Sequence, residues 1–223
     1  MNRKWTMLVA CATALAGANA GAADKRIELS GTIGWTYSDG VGGTTAVKVP
    51  NLGTFNSIDP KNAMNWGARL GYMVTPNVEV GARYDMQAST LQISGTTTVD
   101  LGDIDIRNYH GYAAYNLGEE GGKIRPYFLG GLGATQYSAV NAKGGNVARE
   151  IRGNTKFSTT WAAGVKLFPG PSVGIRLEAA WTPTYIKSDA AGYWCDPYWG
   201  CYLVSDPQYA NQFQFGGGIV FRF

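Results

Sequence analysis

Cys195 and Cys201 stand with five residues between them, Asp196-Pro197-Tyr198-Trp199-Gly200. Two thiols at that spacing can oxidise to a disulfide or share a soft metal ion. A metal needs more ligands than two thiols. The third cysteine is Cys11, near the start of the chain, and the single histidine is His110. No metal centre follows from that set, and no phosphate-binding glycine loop or other cofactor motif accompanies it. A disulfide is the chemistry the pair supports, provided the loop faces an oxidising compartment. Closing so short a ring stabilises by only about 2–3 kcal/mol. Its main effect would be to hold the Asp-Pro and Trp-Gly bends. Tyr193, Trp194, Tyr198, Trp199 and Tyr202 crowd the same stretch. Such rings combine a large contact area with a polar tip. They either pack on one another and on whatever lies beneath, or form a rigid contact surface. His110 is the other candidate for chemistry. A nucleophilic triad would need a serine and a carboxylate beside it, and the sequence places neither. No catalytic residue is assigned.

The compartment is readable at the N-terminus. Arg3 and Lys4 precede an apolar run from Trp5 to Ala16, and Ala18-Asn19-Ala20 follows in the small-x-small pattern. That order is the order of a secretory leader, residues 1–20, removed on export, with Ala20-Gly21-Ala22 as a second cleavage candidate. Leu8-Val9-Ala10-Cys11 has the look of a lipoprotein box, but the apolar run before Cys11 is short for one. Cys11 would leave with the leader. The mature chain, residues 21–223, then carries an even pair of cysteines in an exported protein, which favours the Cys195–Cys201 disulfide. The formal charge of +3 is too mild to indicate nucleic acid as a partner.

The elements that must position these residues come from periodicity. Beyond the leader no apolar run approaches the ~18 residues of a membrane helix, and the mean hydropathy is −0.15. Alternation by two dominates instead, which signals strands. In "FQFGGGIVFRF", Phe213, Phe215, Gly217, Ile219, Phe221 and Phe223 take one face, and Gln214, Gly216, Gly218, Val220 and Arg222 the other. Eight such segments are expected, at 26–38, 63–74, 78–87, 104–117, 124–137, 155–168, 172–182 and 211–223. Each is long enough to cross a bilayer at a tilt, which takes roughly 9–11 residues. Segment 124–137 is apolar on both faces, and its sides stay unassigned. Connections at 75–77, 118–122 and 169–171 are tight and full of turn formers. Those at 39–62, 88–103, 138–154 and 183–210 are long and polar or glycine-rich.

Alternation does not say which face is inside. Three features favour lipid outside. The polar faces are rich in glycine and carry Glu28, Arg69, Glu79, Arg83, Asp85, His110, Lys166, Arg176, Glu178 and Arg222. Small residues and charges of both signs suit the narrow interior of an eight-stranded barrel. Trp35, Tyr37, Trp66, Trp161, Trp181, Phe221 and Phe223 cluster at strand ends, like interfacial girdles. The chain stops on an aromatic, Phe223, after Phe215 and Phe221 at matching parity. The expected fold is all-β: an eight-stranded antiparallel transmembrane β-barrel with short periplasmic turns and long extracellular loops. Its closure requires 26–38 to pair with 211–223. The near balance of the inward charges indicates a salt-bridge network plugging the lumen, with a small water path as the alternative.

The closing strand resembles the C-terminal signal by which outer-membrane barrels are recognised for assembly, carried by Phe215, Phe221 and Phe223. The strand count, the loop alternation and "IRPYFLGGLGA" resemble the small OmpA-like and OmpX-like barrel family. The resemblance covers essentially the whole mature chain. It implies the outer membrane of a Gram-negative bacterium, both termini in the periplasm, and contact with lipid, lipopolysaccharide and the barrel assembly machinery. It implies no single activity, because members include adhesins, anchors, narrow channels and a few lipid-modifying enzymes. In those enzymes His, Ser and acidic residues lie near the outer rim, whereas strand direction puts His110 nearer mid-barrel. The expectation is a structural or surface-contact role through the extracellular loops. The aromatic loop would meet a host or envelope ligand or pack on the rim. A small porin-like channel is the alternative, and a lipid A-modifying enzyme comes after it.

Overall fold

The computed structural model describes residues 26–39, 41–49, 53–119, 121–144, 147–186, 193–196, 200–203 and 208–223. The strands in chain order are β1 (Ile27–Ser38), β2 (Val41–Val49), β3 (Gly53–Pro60), β4 (Ala63–Met73), β5 (Val78–Gly95), β6 (Thr98–Asn116) and β7 (Ile124–Tyr137). They continue as β8 (Val140–Gly144), β9 (Val147–Ile151), β10 (Asn154–Leu167), β11 (Val173–Ile186), β12 (Tyr193–Asp196), β13 (Gly200–Leu203) and β14 (Gln208–Arg222). Eight of them close a barrel. Antiparallel ladders run β1–β4–β5–β6–β7–β10–β11–β14, and β14 returns to β1. The closing seam extends from Glu28↔Arg222 to Ser38↔Gln212. Phe223 and Ile27 exchange backbone hydrogen bonds of 2.9 and 3.2 Å beyond it. A ring without edges is what lipid demands of strands, since acyl chains satisfy no N–H or C=O. Among the described residues no helix is long and apolar enough to cross a membrane.

Burial is inverted relative to a water-soluble barrel. Buried side chains are polar or charged, including Glu28, Arg69, Glu79, Lys166 and Arg176, while Ile33, Trp66, Leu70, Phe128, Leu132 and Trp161 are each at least half exposed. From Ile27 to Tyr37 the outward face of β1 is apolar or small. Roughly ten steps of ~3.3 Å, tilted by about 40°, give about 25 Å of height, the thickness of the apolar band of such barrels. Across β4, β5 and β6, Trp66 meets Tyr84 edge to face and Tyr84 meets Tyr109 at a tilt, with centroids 5.5 and 5.2 Å apart. Trp181 stacks on Phe213. These rings form part of the girdle at the loop end of the band.

The short turns lie at one end. Gly118 and Gly121 hold φ of +89° and +75°, a region side chains rarely adopt, and this lets β6 turn tightly into β7. At the other end the structure corrects the expected loops. The connection at 88–103 is not a loop: β5 and β6 continue as a paired ladder and turn only at Thr96–Thr97. The stretches 39–62 and 138–154 contain the β2–β3 and β8–β9 hairpins, and β3 adds to β5 beyond the top of β4. Runs such as STLQIS and TTTVDLGDIDI are rich in β-branched residues. A ladder in water needs no apolar outer face, so strand continues where the lipid signal stops. Segment 124–137 also gains its sides. Arg125, Tyr127, Leu129 and Thr135 point inward, and Ile124, Phe128 and Leu132 outward.

Candidate functional site

The inward faces of β1, β4, β5, β10, β11 and β14 bring the charged residues together along the axis. Near the periplasmic end Lys166 Nζ donates to Glu28 Oε2 and Glu79 Oε2, both at 2.5 Å. Arg222 donates to Glu28 Oε1 through Nε at 3.1 Å and Nη2 at 2.8 Å, and the Tyr112 hydroxyl donates to Glu79 Oε1 at 2.6 Å. Arg222 also lies 3.8 Å above the ring of Phe168, a buried residue that closes the turn end. Arg125, at the same end, donates to the carbonyl of Pro76.

One layer further out, Glu178 is the hub. Both arms of Arg69 bind it in a fork, the Tyr127 hydroxyl donates to it at 2.5 Å, and Arg83 Nη1 reaches it at 3.3 Å. Arg83 also donates from Nε to Asp85 and from Nη2 to Gln214 Oε1 at 2.5 Å. Charge-assisted forks of this kind are the strongest hydrogen bonds available to side chains. The Arg69, Arg83, Lys166, Glu28, Glu79 and Glu178 side chains are all less than 8% exposed. Space for the two tyrosines comes from glycine. A Cβ on Gly81 would meet the Tyr112 hydroxyl at 2.8 Å, and one on Gly164 the Tyr127 hydroxyl at 2.6 Å.

The outer half of the lumen is polar but uncharged. His110 Nε2 contacts Ser158 Oγ at 2.9 Å. Thr135 Oγ1 lies 2.7 Å from Asn108 Oδ1 and 3.0 Å from Ser158 Oγ, and the Thr184 hydroxyl donates to Thr135 at 3.0 Å. Asn108 Nδ2 donates to Gln212 Oε1 at 2.8 Å. Above this layer the inward face turns apolar. Leu91, Ile104, Ile106 and Val140 cluster, with Ile58, Leu101 and Tyr137 packed against them. The lumen is therefore filled in three chemistries from turn end to loop end: ion pairs, neutral hydrogen bonds and an apolar cluster.

The histidine does find a serine. His110 and Ser158 are 3% and 0% exposed, and His110 Nδ1 has no partner among the described residues. Arg83 holds Asp85, so no carboxylate orients the ring as a triad requires. Arg176 and Glu178, two apart on one face, are not bonded to each other: Glu178 joins Arg69 and Arg83, whereas Arg176 approaches Glu28 and Glu79 at 3.6 and 3.8 Å. Sequence reasoning did not single out Arg125, Tyr112, Tyr127, Asn108, Thr135, Ser158 and Gln214. Strand parity already puts Asn108, Ser158 and Gln214 on polar faces, though without a role, and would have found Tyr112; Arg125, Tyr127 and Thr135 lie on the strand whose two faces both read as apolar. Among the described residues no group of three His, Cys, Asp or Glu side chains could hold a metal.

The cysteine loop is described by its backbone only. β12 and β13 pair with Cys195 directly opposite Cys201, and with Trp194 opposite Tyr202 and Tyr193 opposite Leu203. Tyr198, Trp199 and the leader at 1–20 lie outside the described residues. Phe215 and Phe221 are exposed on the outer wall, and Phe223 seals the seam to Ile27.

The chain matches the outer membrane protein beta-barrel domain family over residues 7–223. Among solved structures it is similar to OprG, an outer membrane protein of Pseudomonas aeruginosa, with TM-score 0.61 and 13% identity over 89% of this chain and 97% of that one. It is also similar to the neisserial surface protein A, with TM-score 0.53 and 11% identity over 92% and 100%. At that identity the likeness speaks for the fold. No curated protein matches the chain in sequence.

Proposed function

The chain belongs to the outer membrane protein beta-barrel domain family, and from that premise we propose that it is a non-conducting surface barrel acting through its extracellular strands and loops. The family places it in the outer membrane of Gram-negative cells. The observation that carries the closed-lumen reading is the stack of buried ion pairs from Glu28 and Lys166 to Arg69 and Glu178. Each carboxylate there is held by several donors, and a water path would have to break these charge-assisted bonds together. In lipid bilayers with the purified protein, planar recordings should stay silent. Stable, ion-selective openings in the unmodified chain would replace this reading with the channel.

What reaches beyond the membrane supports a contact role. The β5–β6 ladder continues about nine residues past the girdle, roughly 20 Å of protruding sheet at ~3.3 Å per residue and the usual tilt. The β2–β3, β8–β9 and β12–β13 hairpins stand on the same side. In this reading the 1–20 leader directs export, the last strand with Phe215, Phe221 and Phe223 engages the barrel assembly machinery, and the wall sits among lipid and lipopolysaccharide. Tyr193, Trp194, Tyr198, Trp199 and Tyr202 present a contact surface to a host or envelope ligand. Directly opposed residues of an antiparallel pair have Cα atoms about 4.5–5.5 Å apart, inside the span a disulfide needs. The Cys195 and Cys201 thiols then form one S–S bond, passing two protons and two electrons to a periplasmic dithiol-disulfide oxidant. Alkylation before and after reduction should reveal two masked thiols. Trp194→Ala with Trp199→Ala should leave the barrel folded and abolish adhesion, and unchanged adhesion removes the aromatic surface from the account.

A further inference from the structure

The charges of the lumen do not close. Five cations, Arg69, Arg83, Lys166, Arg176 and Arg222, face four carboxylates, Glu28, Glu79, Asp85 and Glu178. Four of the cations have hydrogen-bonded anions: Arg69 on Glu178, Arg83 on Asp85, Lys166 on Glu79 and Glu28, and Arg222 on Glu28. Arg125 stands apart at the turn end and is not counted. Arg176 is left over, 1% exposed. Its nearest carboxylate oxygens lie 3.6 and 3.8 Å from Nη2, beyond hydrogen-bonding length, and Lys166, Arg222 and Tyr112 already occupy those carboxylates. The ring of Tyr127, 5.1 Å away, offers only a weak attraction. Nε and Nη1 of Arg176 have no partner among the described residues, and neither has Arg69 Nε.

A cavity of about 20 Å³ opens beside these groups, lined by Arg69, Arg83, Arg176, Asp85, Glu178 and Gln214 among others. That is room for one particle about the size of a water molecule. The three orphaned arginine nitrogens are all donors, and a buried guanidinium that only shares distant carboxylates with Lys166 and Arg222 is poorly compensated. Water accepts two hydrogen bonds and must then donate two. In this cavity Glu178 already accepts from Arg69, Arg83 and Tyr127, and among the described residues Asn65 Oδ1 is the one orphaned acceptor in the lining, against three orphaned donors. A monovalent anion accepts from every donor at once and cancels the surplus charge.

We propose that the lumen binds one small monovalent anion of halide chemistry beside Arg176. The side chains that would hold it, Arg69, Arg83, Arg176 and Glu178, are buried, so refolding in the chosen anion is the way to load the site. This inference goes beyond the surface-contact role and fails separately from it, because a silent bilayer says nothing about a trapped ion.

The test uses the native chain refolded into detergent in sodium bromide and crystallised. Diffraction at the bromine absorption edge should show one anomalous peak in the lumen, next to Arg176. A lumen without bromine signal overturns the proposal. A solution measurement stands beside it. At equal ionic strength, the protein refolded in chloride or bromide should melt about 5 °C or more above the protein refolded in gluconate, which is too large for the cavity. Equal melting in all three overturns the proposal. Arg176→Gln should erase the difference between anions, and retention of the full difference would place the ion elsewhere and reject the site. If that variant does not fold, the bromine signal in the native chain decides.

Discussion

The two halves of the lumen solve the same problem by different means. Both must fill a narrow channel with groups that lipid cannot satisfy and water does not reach. The turn half does it with charges, from Arg222 and Glu28 up to Arg69 and Glu178. The loop half does it with hydroxyls, amides and one histidine around Ser158 and Thr135. A charged lattice binds tightly but fails badly, because removing one partner strands a buried ion. A neutral lattice has less to lose at each link, since a hydrogen bond exchanged against water contributes only about 1 kcal/mol. The contrast predicts a gradient of mutational cost along the barrel axis.

The largest effect should come from Glu178→Gln, which takes the negative charge from beneath Arg69 and Arg83. Urea unfolding in micelles should show a loss of about 3–5 kcal/mol. Lys166→Met should come next, at about 3 kcal/mol, because Glu28 and Glu79 then lie close together with less compensation. The double change Arg69→Met with Glu178→Leu sharpens the comparison. Two apolar groups in place of a fork should cost clearly less than Glu178→Gln alone, and additive costs would mean the fork is not a unit. In the loop half, Ser158→Ala should lose about 1 kcal/mol. Outside the lumen, Lys61→Ala breaks an exposed pair with Asp100 at 2.8 Å and should stay within about 0.5 kcal/mol. If Ser158→Ala proves as costly as Glu178→Gln, the halves do not differ in the way their chemistry says.

How much of this was legible in the sequence depends on what each residue answers to. β1, β4 and β14 were readable because lipid imposes a clean period of two on their outer faces. β7 was not, because Tyr127 and Leu129 are apolar yet point inward; its phase is set by β10, through pairs such as Lys166↔Arg125. The extensions of β5 and β6 were hidden because outside the bilayer neither face has to be apolar. The lumen partners could not be read as pairs at all. Arg69 meets Glu178 across 109 residues of chain, and Lys166 meets Glu28 across 138. The fold brings those strands to opposite sides of one narrow space, and no local pattern records that. The sequence showed which side chains face inward. Barrel closure and the strand registers decide which of them touch.

The central claim is the inversion itself, apolar residues on lipid and ionisable or polar ones in a sealed interior. Nitroxide labels placed singly along β10 from Phe157 to Ala163, in protein reconstituted into liposomes, test it most directly. Oxygen, which partitions into lipid, should relax the labels at Phe157, Trp161 and Ala163. The labels at Ser158, Thr160 and Ala162 should be shielded from oxygen and from a water-soluble nickel chelate alike. Nickel access at the second set would mean an open aqueous pore, and nickel access at the first set would mean that the barrel faces water and the account is wrong.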